Sequence, residues 1–517
     1  MVATSIIIIV LYFITLIILT LRTPKSTKET SFEDFYTGSK SMGAIVVGLV
    51  MLVTYYSGTT WTGWTGFTAE MGIFGAYMLP YAVFAGIAMY MLSGKIWPLG
   101  KRFNLGTMAD IFELRYRSIG LKMLIGFLGA TLNITWITME LVTIGYIINI
   151  ATGGAVSLEI GALIGVVFMT AYTLWGGVRS VSSVNTFQSA LMVAGAIGVV
   201  MYAVYSTYGS VTNMFEVVLS IRPETFIIDG AYNMRQWFSF VLLCAMGVLC
   251  YPSLYMKFYL GKSTNEVKKS SIFNVAGALW SILILFGGFA IIGYEAVTQV
   301  SLGTNAEEGF LLIVQNSGNA FVYGLALVFI LAGTMGTVDG TLLAISGIFS
   351  SDLIQGYKRI QRKSGLIGEE SYSLNEVSDN MVERTRIIIV IVSVLGYFVT
   401  LMDLPLLVMI AMINYQGIAL FFVPLIGALM WKKGTKIAAY VSVIAGFIVT
   451  FGLMVLKADL SGYLPGIIGV LIGAVLYFVV SLATYKEELP EARFYEVIKS
   501  TITNTEKEID SLNKGLV

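Results

Sequence analysis

The 517-residue sequence contains no histidine and only two cysteines, Cys244 and Cys250. The lack of histidine removes the usual proton relay and a common ligand of zinc and haem iron. Two cysteines are too few for a disulfide-stapled scaffold. Charged residues make up only 12% of the chain, well below the ~25% of an average soluble protein. The formal net charge of +1 indicates no strongly charged partner, and we expect no nucleic acid to bind.

The sequence is rich in apolar residues where a soluble protein would have charged ones. The chain is 56% hydrophobic, with a mean hydropathy of +0.81. Apolar stretches near 20 residues recur along its whole length, as in multi-span helical membrane proteins. We therefore predict an all-α membrane protein with about thirteen transmembrane helices, at residues 3–21, 43–66, 75–98, 120–150, 158–176, 181–206, 236–260, 271–296, 319–350, 385–402, 405–431, 435–456 and 463–485.

The positions of lysine and arginine predict the orientation of these helices. With the N-terminus outside, all of the 32 basic residues except Arg222, Arg235 and Lys457 fall on the cytoplasmic side. This asymmetry follows the positive-inside rule. The first apolar segment has no basic leading region and no small-residue cleavage site, so we interpret it as a retained span. We expect a multi-pass protein of the plasma (inner) membrane with a cytoplasmic C-terminus.

The spans suggest an extra N-terminal helix, two five-helix repeats, two peripheral helices and a tail. These parts occupy residues 1–42, 43–206, 207–431, 432–486 and 487–517. The second repeat contains an outside loop at 207–235 and an inside loop at 351–384. No soluble piece is long enough for a separate domain. The tail could be either a surface helix or a solvated segment.

A polar run interrupts the second span. Residues 52–67, "LVTYYSGTTWTGWTGF", contain many hydroxyl groups and glycines near mid-membrane depth. Such residues are poor helix formers, and an interrupted helix needs partners for its free backbone groups. We predict an unwound segment with Ser57 and Gly58 as hinge residues. A contact face of small residues is the alternative interpretation.

A second interruption is predicted in the seventh span, where Gly247 and Pro252 occur in "CAMGVLCYPSLYMKFYL". Proline removes a backbone donor and clashes with the preceding helical turn. The two interruptions fall in the first helices of two successive five-helix blocks, which alternating topology makes inverted. Broken helices at matching positions of inverted repeats indicate the substrate site of a secondary transporter.

Four stretches together resemble the sodium:solute symporter family, whose fold is similar to that of the bacterial leucine transporter. They are "TYYSGTTWTGWTGF", "YTLWGGVRSVSSVNTFQSALM", the Gly247/Pro252 interruption, and "LAGTMGTVDGTLLAISGIFSSDLIQ". The resemblance implies a 5+5 inverted-repeat core with discontinuous first and sixth core helices. It also implies coupling to Na+, with no organic cofactor.

The resemblance places a sodium ion between the first and eighth core helices. The ligands it implies are the carbonyl groups of Val53, Tyr56 and Gly333 and the hydroxyl group of Thr337. Gly336 stands where relatives usually have a second hydroxyl group. Water, Thr334 or another oxygen would then complete the site, because hard cations prefer several oxygen ligands.

A second departure concerns Asn185, which stands where many relatives have an acidic residue. Asp339 lies on the eighth core helix, where relatives often have serine. The resemblance to two-sodium relatives brings these two positions together, so the carboxylate could have moved to the facing helix. An intramembrane aspartate is costly and usually functional. We expect a cation-ligand or proton-linked role for Asp339, with a neutral, hydrogen-bonded side chain as the alternative.

Candidate solute-binding residues come from three helices: Tyr55, Thr59, Trp61 and Thr62 with the flanking Trp64; Trp136 and Glu140; and Cys244 and Val248. Asn133, Trp136, Glu140 and Thr143 share one helical face. Glu140 could pair with an ammonium or hydroxyl group, or could bond to a neighbouring helix. Lys257 is expected to extend to the cytoplasmic interface. The solute is expected to be small and amino-acid-like or an organic acid.

The leading hypothesis is sodium-coupled symport by alternating access, by a monomer or weak oligomer in the lipid bilayer. A proton-coupled symporter of the same fold is the alternative, since Asp339 and Glu140 can titrate. A transporter-like sensor would be expected to carry a signalling domain. A channel would need a repeated filter. We do not expect an enzyme, because no nucleophile–base pair is evident.

Overall fold

The computed structural model describes residues 2–25, 31–228, 233–303, 305–362, 365–366, 380–402 and 405–514, and only the backbone of residues 506–514. Almost all of the described chain is helical, and an isolated parallel β-bridge joins Met42 to Gly261. The all-α prediction is therefore confirmed. Parts of the predicted loops at 207–235 and 351–384 and the end of the predicted tail lie outside the described residues.

The first half of the described chain contains eight α-helices. In chain order, α1 to α8 are Val2–Arg22, Phe32–Thr37, Ala44–Tyr55, Gly58–Met71, Met78–Arg102, Met108–Tyr116, Ile119–Ala151 and Leu158–Tyr208. Short 3-10 turns, Gly38–Lys40 and Gly72–Tyr77, follow α2 and α4. Helix α8 combines two predicted spans and bends at Gly177, whose φ of +56° falls in the region that favours glycine.

The second half continues with helices α9 to α22. They are Val211–Ile221, Met234–Cys250, Pro252–Lys257, Thr264–Ala276, Ala278–Thr298, Ala306–Asn316, Ala320–Gly347, Gly356–Gln361, Met381–Thr400, Leu407–Ile418, Phe422–Met430, Lys436–Val455, Pro465–Thr484 and Pro490–Lys514. A π-helical segment, Ile348–Gln355, joins α15 to α16. Further 3-10 turns occupy Pro223–Phe226 and Ala419–Phe421.

Each predicted span overlaps one or two of these helices, but some predicted boundaries are wrong. The eighth span begins at Thr264 rather than 271, because the Ser263 hydroxyl group accepts a hydrogen bond from Glu266 N and caps α12. The second span continues to Met71 rather than ending at 66. Within the described residues, nine helical segments are long and apolar enough to cross a membrane.

Helix α15 lies at the centre of the bundle. All of its residues from Ala326 to Gly347 are buried, and it packs against α1, α3, α4, α7 and α8. A helix that is apolar around its whole circumference belongs in such a core. This placement puts the few polar side chains of α15 inside the protein, where they need protein partners or cargo rather than lipid.

The short helix α2 explains why glycine is needed at the bend in α8. A Cβ atom on Gly177 would lie 2.6 Å from the ring of Phe35. Beside this contact, the Arg179 guanidinium donates to Asp34 Oδ1 at 3.0 and 2.6 Å. These bonds hold the pKa of Asp34 below its usual value. Helix α2 therefore packs against the bend of α8 and is held there by this ion pair.

The tail forms a helix, α22, that docks against α5 and α6. The Arg115 guanidinium donates to the carbonyl oxygen of Glu491 at 2.7 Å. The Arg117 guanidinium lies 4.6 Å from the ring centre of Phe494. The tail is therefore a surface helix and not a solvated segment without regular structure.

Helix α14 contains a buried carboxyl group outside the spans. Glu307 is 4% exposed, and its Oε1 accepts a hydrogen bond from Leu407 N at 2.7 Å. Burial raises the pKa of Glu307 to about 7. The folded state therefore retains a proton that the unfolded chain releases above its ordinary pKa of 4.5.

Stability should consequently fall as the pH rises from about 4.5 through about 7. The loss between pH 5 and pH 7.5 should be on the order of 2 kcal/mol. We expect the melting temperature of the wild type to fall over this interval relative to that of Glu307→Gln, which cannot ionise. Parallel curves for the two proteins would contradict this assignment.

Candidate functional site

The chain departs from helical geometry at two residues between α3 and α4. Tyr56 ends α3 with φ −104° and ψ 84°. Ser57 caps α4, because its hydroxyl group accepts a hydrogen bond from Thr60 N at 3.3 Å. The predicted break is present, but the prediction of a longer unwound segment is wrong: Gly58–Met71 is an α-helix. Its hydroxyl groups bond within the protein interior, so the helix survives.

Gly58 brings the break into close contact with α15. A Cβ atom on Gly58 would lie 1.6 Å from Thr334 Oγ1 and 2.4 Å from the carbonyl oxygen of Ile330. A Cβ atom on Gly333 would in turn lie 2.9 Å from Gly58 N. Two glycines facing each other thus allow the backbones of the two helices to meet.

Three of the four predicted sodium ligands meet at this contact. Thr337 Oγ1 donates to the carbonyl oxygen of Val53 at 2.9 Å and lies 3.2 Å from that of Gly333. Val53 and Thr337 are buried. The Tyr56 side chain points away, against Gly277 and Trp280, so only its backbone could contribute. The oxygen donors are of the type that a hard cation prefers.

The missing second hydroxyl group has a steric cause. A Cβ atom on Gly336 would lie 2.6 Å from Val53 Cγ2 and 3.1 Å from Gln188 Oε1. A serine at 336 would therefore require Val53 to move. Thr334, the predicted substitute, donates its hydroxyl hydrogen to Ile330 O at 2.9 Å, which leaves its oxygen lone pairs available.

Asp339 and Asn185 meet, as predicted. Asp339 Oδ2 accepts a hydrogen bond from the Tyr172 hydroxyl group at 2.8 Å, and Oδ1 accepts one from Asn185 Nδ2 at 3.2 Å. The same amide group lies 3.2 Å from the carbonyl oxygen of Gly336. Both Asp339 and Asn185 are fully buried. Within the described part of the chain, the hydrogen-bond donors to this carboxyl group are neutral and do not balance a negative charge.

Glu140 lies at the N-terminus of α4. Its Oε2 accepts a hydrogen bond from Thr59 N at 3.2 Å, while its buried Oε1 has no hydrogen-bond partner among the described residues. The Thr143 hydroxyl group lies 3.1 Å from that of Thr59 and 3.3 Å from that of Thr62. A helix N-terminus favours a negative group, so the protein's own carboxyl group fills this position.

Hydroxyl groups connect Glu140 to the candidate ion region. Those of Ser57, Thr59 and Thr334 surround the Glu140 carboxyl group. Ser57 is part of the break, and Thr334 lies one turn before Thr337 on α15. A ligand bound at either region would therefore contact side chains that also border the other.

Aromatic rings form a wall beside Glu140. Trp136 stacks on Trp64, with ring centres 6.5 Å apart and planes inclined by 5°. The rings of Tyr251 and Tyr415 each lie 5.6 Å from Trp136. The indole nitrogen of Trp136 and the Tyr55 hydroxyl group are buried without a hydrogen-bond partner in the described chain. Such a wall with a few unused polar atoms is typical of small-molecule sites.

Not every predicted solute residue belongs to this group. Trp61 is fully buried on another face of α4, with its ring 5.2 Å from that of Phe329. Unlike Trp61, Cys244 lies near Tyr415 of the aromatic wall, with its Sγ 3.7 Å from Met412 Sδ, and Val248 is buried one turn further along α10. Trp61 is displaced because successive helical residues point about 100° apart, which separates it from Thr59 and Thr62.

The second break lies at Pro252, one of the two residues predicted to form it, and not at Gly247. Helix α10 runs through Gly247 to Cys250, Tyr251 is the non-helical residue, and Pro252 opens α11. Gly247 is not at the break. It makes room for Tyr415, whose Cδ1 would lie 2.8 Å from a Cβ atom at 247. Proline at the first helical position costs no hydrogen bond, which explains where α11 begins.

Lys257 does not extend to the membrane interface, so that prediction is wrong. Its side chain is fully buried at the end of α11. Its Nζ would lie 2.9 Å from a Cβ atom on Gly340 of α15. The six residues of α11 are too short to carry this side chain out of the core.

Tyr251 and Tyr415 are not among the residues that the sequence predicts for the site. Tyr251 directly precedes the proline that starts α11, so the break itself was a usable signal. Tyr415 lies in an ordinary apolar helix and had no such signal. Its position depends on α18 packing beside α10.

Comparisons with known proteins show the family to which the chain belongs. The family model described as "Sodium:solute symporter family" matches residues 35–446. An uncharacterized symporter of Bacillus subtilis, YhjB, is 22% identical over 475 residues, which are 89% of this chain and 93% of that protein. The sodium/pantothenate symporter of Escherichia coli is 23% identical over 475 residues, covering 88% and 91%.

Among solved structures, this chain is similar to a Na+-coupled sialic acid symporter in a substrate-bound outward-open state. The TM-score is 0.74 at 13% sequence identity, covering 93% of this chain and 98% of the other. At this identity the likeness shows the fold alone. It supports the predicted leucine-transporter-like architecture.

Proposed function

Because this chain belongs to the sodium:solute symporter family, we propose that it couples sodium entry to uptake of a small solute bearing a hydrogen-bond donor. The observation that carries the proposal is the α3–α4 break, where Thr337 joins Val53 O on one side and Glu140 caps α4 on the other. In this proposal the ion region and the solute region share one interrupted helix, as in inverted-repeat transporters.

For the ion, we propose that sodium binds between α3 and α15. It would take the carbonyl oxygens of Val53, Tyr56 and Gly333 and the hydroxyl oxygen of Thr337. The hydrogen bond from Thr337 to Val53 O already draws two of these oxygens together at 2.9 Å. Sodium would hold the two helices in one arrangement, and this differential binding would couple the ion to the conformational cycle.

For the solute, we propose that an amine or hydroxyl group bonds to Glu140 Oε1. A carboxylate at the same end of α4 would meet a group of like charge, because Glu140 already fills that N-terminus. The apolar part of the solute would lie along Trp64, Trp136 and Tyr415. This proposal favours the amino-acid-like class, bound through its amino end, over a simple organic acid.

Replacing Thr337 with valine tests the ion site. The change keeps the volume but removes one oxygen ligand, so sodium affinity should fall about 10- to 100-fold. The measurement is sodium-dependent thermal stabilisation of purified protein, with potassium as the reference ion. Thr337→Ser retains the hydroxyl group and should stay within about threefold of the wild type.

Thr450→Val is the matched control, since Thr450 is buried in the peripheral helix α20 and its hydroxyl group has no hydrogen-bond partner among the described residues. Sodium stabilisation that survives Thr337→Val would overturn the proposed site.

The second candidate, proton coupling, is favoured by the buried carboxyl groups of Glu140 and Asp339. It predicts that stabilisation by solutes follows pH and is the same in sodium and potassium.

A further inference from the structure

The buried amine of Lys257 has no role in the site described above. The side chain is 0% exposed, and Nζ has no hydrogen-bond partner among the described residues. Burying an ammonium group is costly unless a negative charge compensates it. A lysine in this position therefore requires a nearby anion.

The amine lies where α11, α3 and α15 meet. Nζ is 2.9 Å from the position that a Cβ atom would take on Gly340, and Thr54 Oγ1 is 3.6 Å from the same position. Gly340 lies one turn after Thr337, and Thr54 directly follows Val53. Lys257 thus borders the proposed sodium site, and the glycine at 340 leaves the space that the amine uses.

The compensating charge is Asp339, the residue before Gly340. The carboxyl group of Asp339 is fully buried, and its hydrogen-bond donors, Tyr172 and Asn185, are both neutral. Lys257 and Asp339 attract each other electrostatically. They form no direct ion pair in this conformation. Each group carries the charge that the other lacks.

We infer that the Lys257 ammonium is a built-in counter-ion of Asp339 and takes the place of a second sodium ion. Together with the proposed function, on which it rests, this assigns one sodium ion to each transport cycle. The Asn185–Asp339 cluster is then a permanent electrostatic link between α15 and the broken helix α10–α11 rather than a second ion site. Its charge stays balanced without an ion from solution.

The test counts sodium ions. Purified protein is titrated with radioactive sodium in the absence of solute, so that no substrate needs to be known. The wild type and Lys257→Arg should each bind one ion per chain. Lys257→Met leaves Asp339 without a cation and should bind two. The double variant Lys257→Met/Asp339→Asn should return to one.

A second measurement covers the case in which Lys257→Met does not fold, as judged by gel filtration. Asp339→Asn alone leaves the Lys257 charge uncompensated next to the sodium site. It should weaken binding of the single sodium ion about tenfold, and the double variant should recover to within about twofold of the wild type. Equal weakening in Asp339→Asn and in the double variant would overturn the inference.

Two bound ions in the wild type, or one in Lys257→Met, would likewise overturn it while leaving sodium coupling intact. No saturable sodium binding by the wild type would instead overturn the proposed function. The two failures are therefore distinguishable in one experiment.

Discussion

Replacing Glu140 with glutamine should weaken solute binding about 10- to 150-fold, because it removes the carboxylate to which we propose that the solute's donor group bonds. A hydrogen bond to a charged group contributes about 1.5–3 kcal/mol, and the stated range is that free energy converted to affinity. The glutamine side chain has the same size, so the aromatic wall of Trp64, Trp136 and Tyr415 should remain in place. Its amide can still accept a hydrogen bond from Thr59 N, which preserves the start of α4.

The measurement is the concentration of solute that half-saturates sodium-driven uptake, together with the sodium affinity in the absence of solute. A solute-contacting role predicts a large change in the first quantity and at most a few-fold change in the second. Glu159→Gln is the control, since Glu159 is an exposed carboxylate in the first turn of α8. Unchanged or improved solute affinity in Glu140→Gln would indicate a carboxylate at this end of α4 and would contradict the proposed solute class.

The break in the second span could be predicted from the sequence because its cause is local. Ser57 and Gly58 have side chains that suit a cap and a close approach, and they occur where an apolar helix offers no other reason for them. The juxtaposition of Asn185 and Asp339 also came from the sequence, although through family resemblance rather than spacing. The sequence was therefore a good guide where the cause was local, as at Ser57, or where family resemblance paired two helices.

The misplaced residues depend on which helix packs against which. Trp61 and Thr62 are adjacent in sequence, but one packs on Phe329 and the other faces Thr143. Gly247 suggested a break, although its small size serves the ring of Tyr415 on another helix. The prediction for Lys257 followed the general rule that lysines near a membrane surface extend to the interface, and the structure does not obey it here. Only the assembled bundle shows that α11 ends inside the core.

Gly58→Ala should abolish transport and lower the melting temperature more than any other single methyl addition proposed for this chain. The new Cβ atom would lie 1.6 Å from Thr334 Oγ1, a side-chain atom that could rotate away. It would also lie 2.4 Å from the carbonyl oxygen of Ile330, a backbone atom of α15 that cannot. Overpacking of this kind costs about 1–3 kcal/mol, and here it pushes the start of α4 away from α15 next to the proposed ion site.

Two comparison variants separate this effect from a general intolerance of alanine. Gly198→Ala in α8 meets nothing within 4 Å and should leave the melting temperature unchanged or raise it, since alanine favours the helix by about 0.5–1 kcal/mol. Gly58→Ala/Thr334→Ala removes the hydroxyl clash but not the backbone clash, so it should recover only part of the lost stability and no sodium stabilisation. Full recovery in the double variant would mean that the hydroxyl group alone sets the contact. The proposed ion site lies where the α3–α4 break meets α15, so loss of sodium stabilisation in a folded Gly58→Ala protein would show that the contact between Gly58 and α15 is needed to form the site.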